Sequence, residues 1–249
     1  MSEGAVRTSS VTFVILAVVV FTLFCYTDIG LQMAVVPLFV REKLGFSSAM
    51  AGFAVSVQYL ATFASRIGAG KRIDTGGPKR VVLMGLSTGV LSGLLLVAAA
   101  LLVSWPLLSL LFVLAGRIAL GVAESWVATA VIVWNIRRAG VSRTAQVISW
   151  NGVCSYGGIA LGAPIATMIY HGISLPVLGG FAGVGLLSAV LMGVWYPISS
   201  AAAFCAPSGG GEAAILFHGV KACAALWTGA CGRVSRLWGD FCFAGPVFF

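Results

Sequence analysis

The sequence predicts an all-α membrane protein, a bundle of six transmembrane helices, and three observations carry that expectation. Hydrophobic residues make up 59% of the chain, charged residues only 9%, and the mean hydropathy is +1.04. A soluble domain carries roughly 25% charged residues, so this chain could not cover a water-facing surface. Its apolar residues fall into long continuous runs, and a spanning helix needs about 20 of them. Amides in lipid must be satisfied within their own segment, which makes these runs helices rather than open sheet. A barrel would need short alternating strands instead.

The first span covers about Val11 to Val40, interrupted by Asp28 and Pro37 and closed by Arg41, Glu42 and Lys43. It runs too long for the apolar region of a signal peptide and is read as retained. Span two runs from about Ser48 to Gly68. A basic loop, Lys71 to Arg80, leads to span three at about Val81 to Val103. Ser104-Trp105-Pro106 turns the chain into span four, about Leu107 to Trp134, and Arg137, Arg138 and Arg143 mark the next loop. Span five covers about Ala145 to Tyr170. His171-Gly172 and Pro176 make a short turn before span six, about Val177 to Tyr196. The domain plan is therefore residues 1–10 as a cytoplasmic N-terminus, 11–197 as the bundle and 198–249 as an atypical tail.

That tail holds four of the six cysteines, a Ser/Ala/Gly-rich stretch and scattered charges at Lys221, Arg233, Arg236 and Asp240. It reads as the remnant of a truncated or frame-shifted coding sequence, or else as a short interfacial tail.

Lys and Arg set topology. One side of the membrane would hold Arg7 and the clusters Lys71–Arg80 and Arg137–Arg143, the other only Arg41 and Lys43. The expected placement is a bacterial cytoplasmic (inner) membrane with the N-terminus inside. The net charge of +8 is thus topological. No basic patch with interleaved aromatics points to nucleic acid. The absence of a C-x-x-C pair and the presence of only two histidines leave no metal site to read. No cofactor is expected, and no phosphate-cradling G-x-x-x-x-G-K-[ST] occurs.

Charge inside a span is the sharpest signal. A charged residue at a helix centre costs about 2.5–3.5 kcal/mol on insertion scales, against 0.3–0.6 kcal/mol returned by one Leu. Asp28, Arg117 and Glu124 therefore need a reason. Arg117, Gly121 and Glu124 share one face of span four. Asp28 and Arg117 both sit roughly 25 Å from the basic side, so a contact between them is geometrically allowed. The alternatives are a proton or substrate site in a polar cavity and a structural ion pair joining two helices. Gln58, Tyr59, Trp126, Trp150 and Asn151 are further cavity candidates. Small residues four apart, Gly85-Gly89-Gly93, Gly158-Gly162-Ala166 and Gly179-Gly183, allow close helix packing, within the chain rather than between copies.

Gly70, Asp74, Gly77, Lys79 and Arg80 are spaced as in G-x-x-x-D-R-x-G-R-R/K, and this loop resembles the signature between spans two and three of the major facilitator superfamily. Thr75 and Pro78 depart from it. Arg117-x-x-x-Gly121 resembles the span-four motif of that family, and Gly158-x-x-x-Gly162-Ala163-Pro164 is similar to the span-five motif of its exporters, with Ala163 inserted. Gln58 to Thr62, Ser65-Arg66, Gly77 to Arg80 and Val147 to Gly152 resemble the YhhS/YfcJ-like exporter branch. The resemblance covers about residues 11 to 197 and implies one half of a twelve-helix fold, built from two inverted three-helix repeats. It implies proton-coupled export of a small solute, with Asp74 in a cytoplasmic gate and Arg117 in proton coupling. The implied partners are the lipid bilayer, the solute, protons, and a second transporter half or a homodimer. The rival expectation is a half-length or truncated membrane fragment without transport. An intramembrane protease using Ser155 and His171 is the third class considered.

Overall fold

A computed structural model describes residues 2–172 and 180–204, with side chains placed at 15–171 and 180–194. Residues 205–249, with the four cysteines of the tail, and Pro176 and Gly179 lie outside the described residues, and of Arg7 only the backbone is described. The chain divides into two compact units, Met1–Ala201 and Ala202–Phe249, and the bundle belongs to the first.

Among the described residues six α-helices follow one another: α1 (Ser2–Leu38), α2 (Ser48–Gly76), α3 (Pro78–Leu101), α4 (Pro106–Ala139), α5 (Thr144–Gly172) and α6 (Gly180–Phe204). No strand occurs among the described residues. Among the described residues four stretches are long and apolar enough to cross a membrane: Ile15–Lys43, Pro78–Leu101, Pro106–Ala139 and Val141–His171. The 29 residues of α2 have the length but carry Arg66, Lys71, Arg72 and Asp74. The fold class is an all-α membrane protein.

Local chemistry fixes the element ends. Ser47 caps α2, its hydroxyl accepting from the Met50 amide at 3.4 Å. Pro78 and Pro106 sit in the first turns of α3 and α4, where a missing N–H leaves no donor orphaned. Gly45, Gly77 and Gly140 take positive φ between elements. Gly77, at φ 81 and ψ 155, occupies a region essentially closed to other residues.

Two expectations about the backbone are corrected. Asp28 and Pro37 do not interrupt span one: α1 runs unbroken to Leu38, and the irregularity is a π-helical turn at Phe39–Lys43. Pro37 lies within the helix, and Phe46 N–H bonds to Val40 O at 3.1 Å beyond the π turn. Nor is Lys71–Arg80 a loop with glycine bends. The helix α2 continues to Gly76, and Gly77 alone makes the turn. Ala69 and Ile73 hold this extension, both buried.

Glycines set the packing. A Cβ on Gly162 would collide with the Thr27 carbonyl oxygen and lie 2.8 Å from Leu31 N. One on Gly158 would lie 2.6 Å from Leu23 O, and one on Gly30 2.6 Å from Ile159 O. α1 and α5 thus touch backbone to backbone. The α4–α2 crossing is similar, since a Cβ on Gly121 would strike Gln58 O and sit 2.9 Å from the Ala61 methyl. Gly85 packs on Val127 of α4, and Gly93 meets Gly185 of α6. Each of these glycines is taken up by a helix–helix contact of the bundle. On α6 the contact glycine is Gly185. An apolar core around Leu31, Val35, Phe39, Leu96, Val113 and Phe181 closes the end away from the basic turns; there the Phe39 and Phe181 rings stack at 3.8 Å.

Candidate functional site

Three charged side chains sit deep in the bundle. Asp28 and Arg117 are fully buried, and Glu124 is 8% exposed. The glycines explain how. Gly121, one turn from both Arg117 and Glu124, brings α2 against α4, and this crossing seals the carboxylate. Glu124 Oε2 accepts from Gln58 Nε2 and from the Thr62 hydroxyl, each at 3.1 Å. The same hydroxyl lies 3.0 Å from Gln58 O and 3.2 Å from Gly121 O. Gln58 and Thr62 are four residues apart on α2 and so present one face to α4.

Asp28 belongs to a second group, between α1, α3 and α6. Gln32 Nε2 lies 3.4 Å from Asp28 Oδ1, 3.1 Å from Ser92 Oγ and 3.2 Å from Ser188 Oγ. The Ser92 hydroxyl reaches back to Gln32 Oε1 at 3.5 Å. All four residues are fully buried.

Arg117 is the largest fully buried side chain, and none of its three guanidinium nitrogens has a hydrogen-bond partner. Asp28 Oδ2 and Gln58 Oε1 are likewise without one. The allowed contact between Asp28 and Arg117 is therefore not made as a hydrogen bond. Buried charge without partners costs several kcal/mol.

The other candidates disperse. Tyr59 is 48% exposed, its hydroxyl 3.8 Å from the Met33 sulfur. Asn151 Oδ1 accepts from the Thr22 hydroxyl at 2.9 Å, on the α1–α5 seam. Trp150 packs against the apolar cluster Ile15, Val19 and Val147. Neither Trp150 nor Asn151 joins the buried charges, because both lie near the start of α5, toward the basic end. Gly158 and Gly162 act in packing, as described, and Pro164 is an exposed residue within α5. In the signature segment Gly70 is plain helix with open space where a Cβ would go. Asp74 and Arg80 are exposed on either side of Gly77, and Lys79 Nζ lies 5.6 Å from the Trp134 ring centroid. Arg72, which the motif does not include, stacks on Trp126 at 4.6 Å, a cation–π contact.

Sequence reasoning missed Gln32, Thr62, Ser92 and Ser188. Gln32 had a signal, standing one helical turn beyond Asp28 on the same face. The serines had none, since their meeting depends on how α3 and α6 approach one another at Gly89, Gly93 and Gly185. Among the described residues no group of three or more His, Cys, Asp or Glu could hold a metal. Ser155 and His171 are 16 residues apart on α5, about 24 Å, so they form no catalytic dyad.

The Major Facilitator Superfamily profile matches residues 18–248. The chain belongs to the Major Facilitator Superfamily. The match runs on through residues 198–248, beyond the reach of the motifs. An uncharacterized MFS-type transporter of Burkholderia pseudomallei (strain 1106a) is 49% identical over 168 residues, covering 68% of this chain and 41% of the relative. One of Burkholderia mallei (strain SAVP1) matches to the same extent. One of Pseudomonas aeruginosa (strain LESB58) is 49% identical over 152 residues, 61% of this chain and 38% of the relative. The chain thus spans about two-fifths of the length of these relatives. No solved structure matches it. Membership of this family makes the chain a multi-pass bacterial membrane protein, and its relatives are named MFS-type transporters.

Proposed function

We propose that the chain forms the amino-terminal six-helix half of a proton-coupled exporter of a small solute, in the YhhS/YfcJ-like branch. The observation that carries this reading is the buried Arg117 guanidinium, without hydrogen-bond partners, in a bundle that also buries Asp28 and Glu124. A protein that only needed to pack would not retain it, because an apolar side chain of similar volume would cost less.

The packing pattern supports two inverted triplets. α1 meets α5 through Gly30, Gly158 and Gly162, as α4 meets α2 through Gly121. Exchanging α1 with α4 and α2 with α5 maps one contact onto the other, as an inverted repeat requires. The basic turns at Gly77 and Gly140 share one end and face the cytoplasm of a bacterial inner membrane in this reading, with the amino terminus on the same side. Asp74, Lys79 and Arg80 form the cytoplasmic gate, and Arg72 and Lys79 steady it on Trp126 and Trp134. Alternating access needs a second six-helix unit to rock against, supplied by another transporter half or a second copy.

The test is solute movement in everted membrane vesicles holding the chain with and without the carboxy-terminal half of the Pseudomonas aeruginosa relative. The expected result is a small solute that dissipates an imposed pH gradient only when both halves are present. Vesicles in which no solute of a broad panel moves protons would refute the proposal and favour a transport-silent fragment.

A further inference from the structure

We infer that the outward faces of α2 and α5 are an interface between two copies of this chain, α2 of each copy packing against α5 of the other. This gives the second unit of the transport reading a docking surface, and it rests on that reading only for the use of the assembly, not for its formation.

The first observation concerns glycine. A glycine inside a helix costs stability relative to alanine, and in a membrane it repays that cost by letting another helix approach. Every glycine within α3 and α4 has such a neighbour: Gly85, Gly89, Gly93, Gly116 and Gly121 all meet another helix. Gly52 and Gly70 on α2, and Gly152 and Gly157 on α5, meet nothing within 4 Å. Lipid tails gain nothing from the missing side chains. Lipid also suits α2 poorly. Arg66 is exposed ten residues before Gly76, about 15 Å inside the basic end, where a charge facing lipid is costly.

The second observation is fit. Lys79, just past the turn at Gly77, reaches Trp134, near the turn at Gly140, so both turns lie at the basic end. α2 therefore runs toward that end and α5 away from it, and residues equally far from Gly76 and from Thr144 are level. Phe63, 82% exposed, stands 13 residues before Gly76, and the open Gly157 stands 13 after Thr144. Leu60 is level with Ala160 at 16 residues, Tyr156 with Ala64 at 12, and Met168 with Gly52 at 24. All six of these residues are exposed. Each large projection on one face thus has a small residue at its own height on the other, and the match runs in both directions. Within the chain α2 and α5 pack on α1 and α4 rather than on each other, so the fit is one between copies. A two-fold axis along the membrane normal, facing the α1–α4 pair, makes the whole set of contacts twice. Charge agrees with this. Asp74, the one carboxylate at the basic end among the described residues, is exposed two residues before Gly76. It comes within about 5 Å in height of the partner's Arg143.

The experiment reads association without solute or pH gradient, so its failure is distinguishable from a failure of transport. Two differently tagged copies of the full chain are co-expressed, and p-benzoylphenylalanine replaces Leu60 in one of them. Irradiation of intact membranes is expected to join the two tags, with the bond located by mass spectrometry on α5 of the other copy. The same group at Leu91, on the outward face of α3, should join none. Gly157→Phe fills a pocket that is open within its own chain and occurs twice in the pair, so the yield should fall at least about tenfold. Gly157→Ala should leave it unchanged, since alanines floor two of the other pockets. Phe63→Gly combined with Gly157→Phe moves the projection to the opposite helix and should restore joining, which separates a blocked interface from a misfolded chain. Absence of joined tags, joining as strong from Leu91, a yield that Gly157→Phe leaves unchanged, or one that the swap leaves lost would overturn the proposal.

Discussion

Replacing Gly162 by alanine tests the packing that buries the charges, and its size can be worked from the structure. The new Cβ would overlap the Thr27 carbonyl oxygen, sit 2.8 Å from Leu31 N and 3.0 Å from the Gly30 carbonyl carbon. Every one of these atoms is backbone, so no side chain can swing away. Ordinary contact begins near 3.4 Å, so α1 and α5 must separate by about 0.5–1 Å along this seam, an overpacking cost of about 1–3 kcal/mol. Against it stands a gain of about 0.8–1.0 kcal/mol, since alanine favours helix over glycine. The net loss is up to about 2 kcal/mol, or up to about 8 °C in midpoint for a chain of this length. Gly157 is the internal control. It lies on the same helix, with nothing within 4 Å of its would-be Cβ, so Gly157→Ala should be neutral or slightly stabilising. The assay is thermal unfolding in detergent, followed by loss of the monodisperse chromatographic peak. A Gly162→Ala protein as stable as Gly157→Ala would refute the close-approach account.

Three further outcomes follow from particular contacts. Glu124→Leu strands Gln58 Nε2, while the Thr62 hydroxyl keeps the Gln58 and Gly121 carbonyls, for a loss of about 1–3 kcal/mol; Glu124→Gln keeps an acceptor and should lose less, as the same unfolding assay will show. Gly77→Ala meets no atom within 4 Å but must hold φ near 81°, so it should cost about 1–3 kcal/mol through backbone strain alone. Trp126→Leu removes the ring beneath Arg72 and should cost about 0.5–1 kcal/mol, readable as faster proteolysis at Arg72 with little change in global midpoint.

How much of this was legible beforehand differs by level. The helices were, because continuous apolar runs admit one solution in lipid. Their ends were less so: Lys71 to Gly76 reads as loop by charge, yet Ala69 and Ile73 bury it as helix. Asp28, Arg117 and Glu124 announced themselves by the cost of their burial, and Gln58 fell in the same site because it faces Glu124. Trp150 and Asn151 did not, since composition says nothing about depth along a helix. The serines of the Asp28 cluster could not be picked from sequence. Their role depends on which face of α3 meets which face of α6, and small residues permit that contact without specifying it.

The central claim is that the charges inside the bundle, not those at its ends, carry transport. It is tested most directly by solute-stimulated proton movement in vesicles holding both halves, comparing Arg117→Gln, Asp28→Asn and Glu124→Gln with the exposed Arg138→Gln. The account predicts near-background signals for the first three at normal membrane levels, and a wild-type signal for Arg138→Gln. Wild-type movement in Arg117→Gln would contradict it.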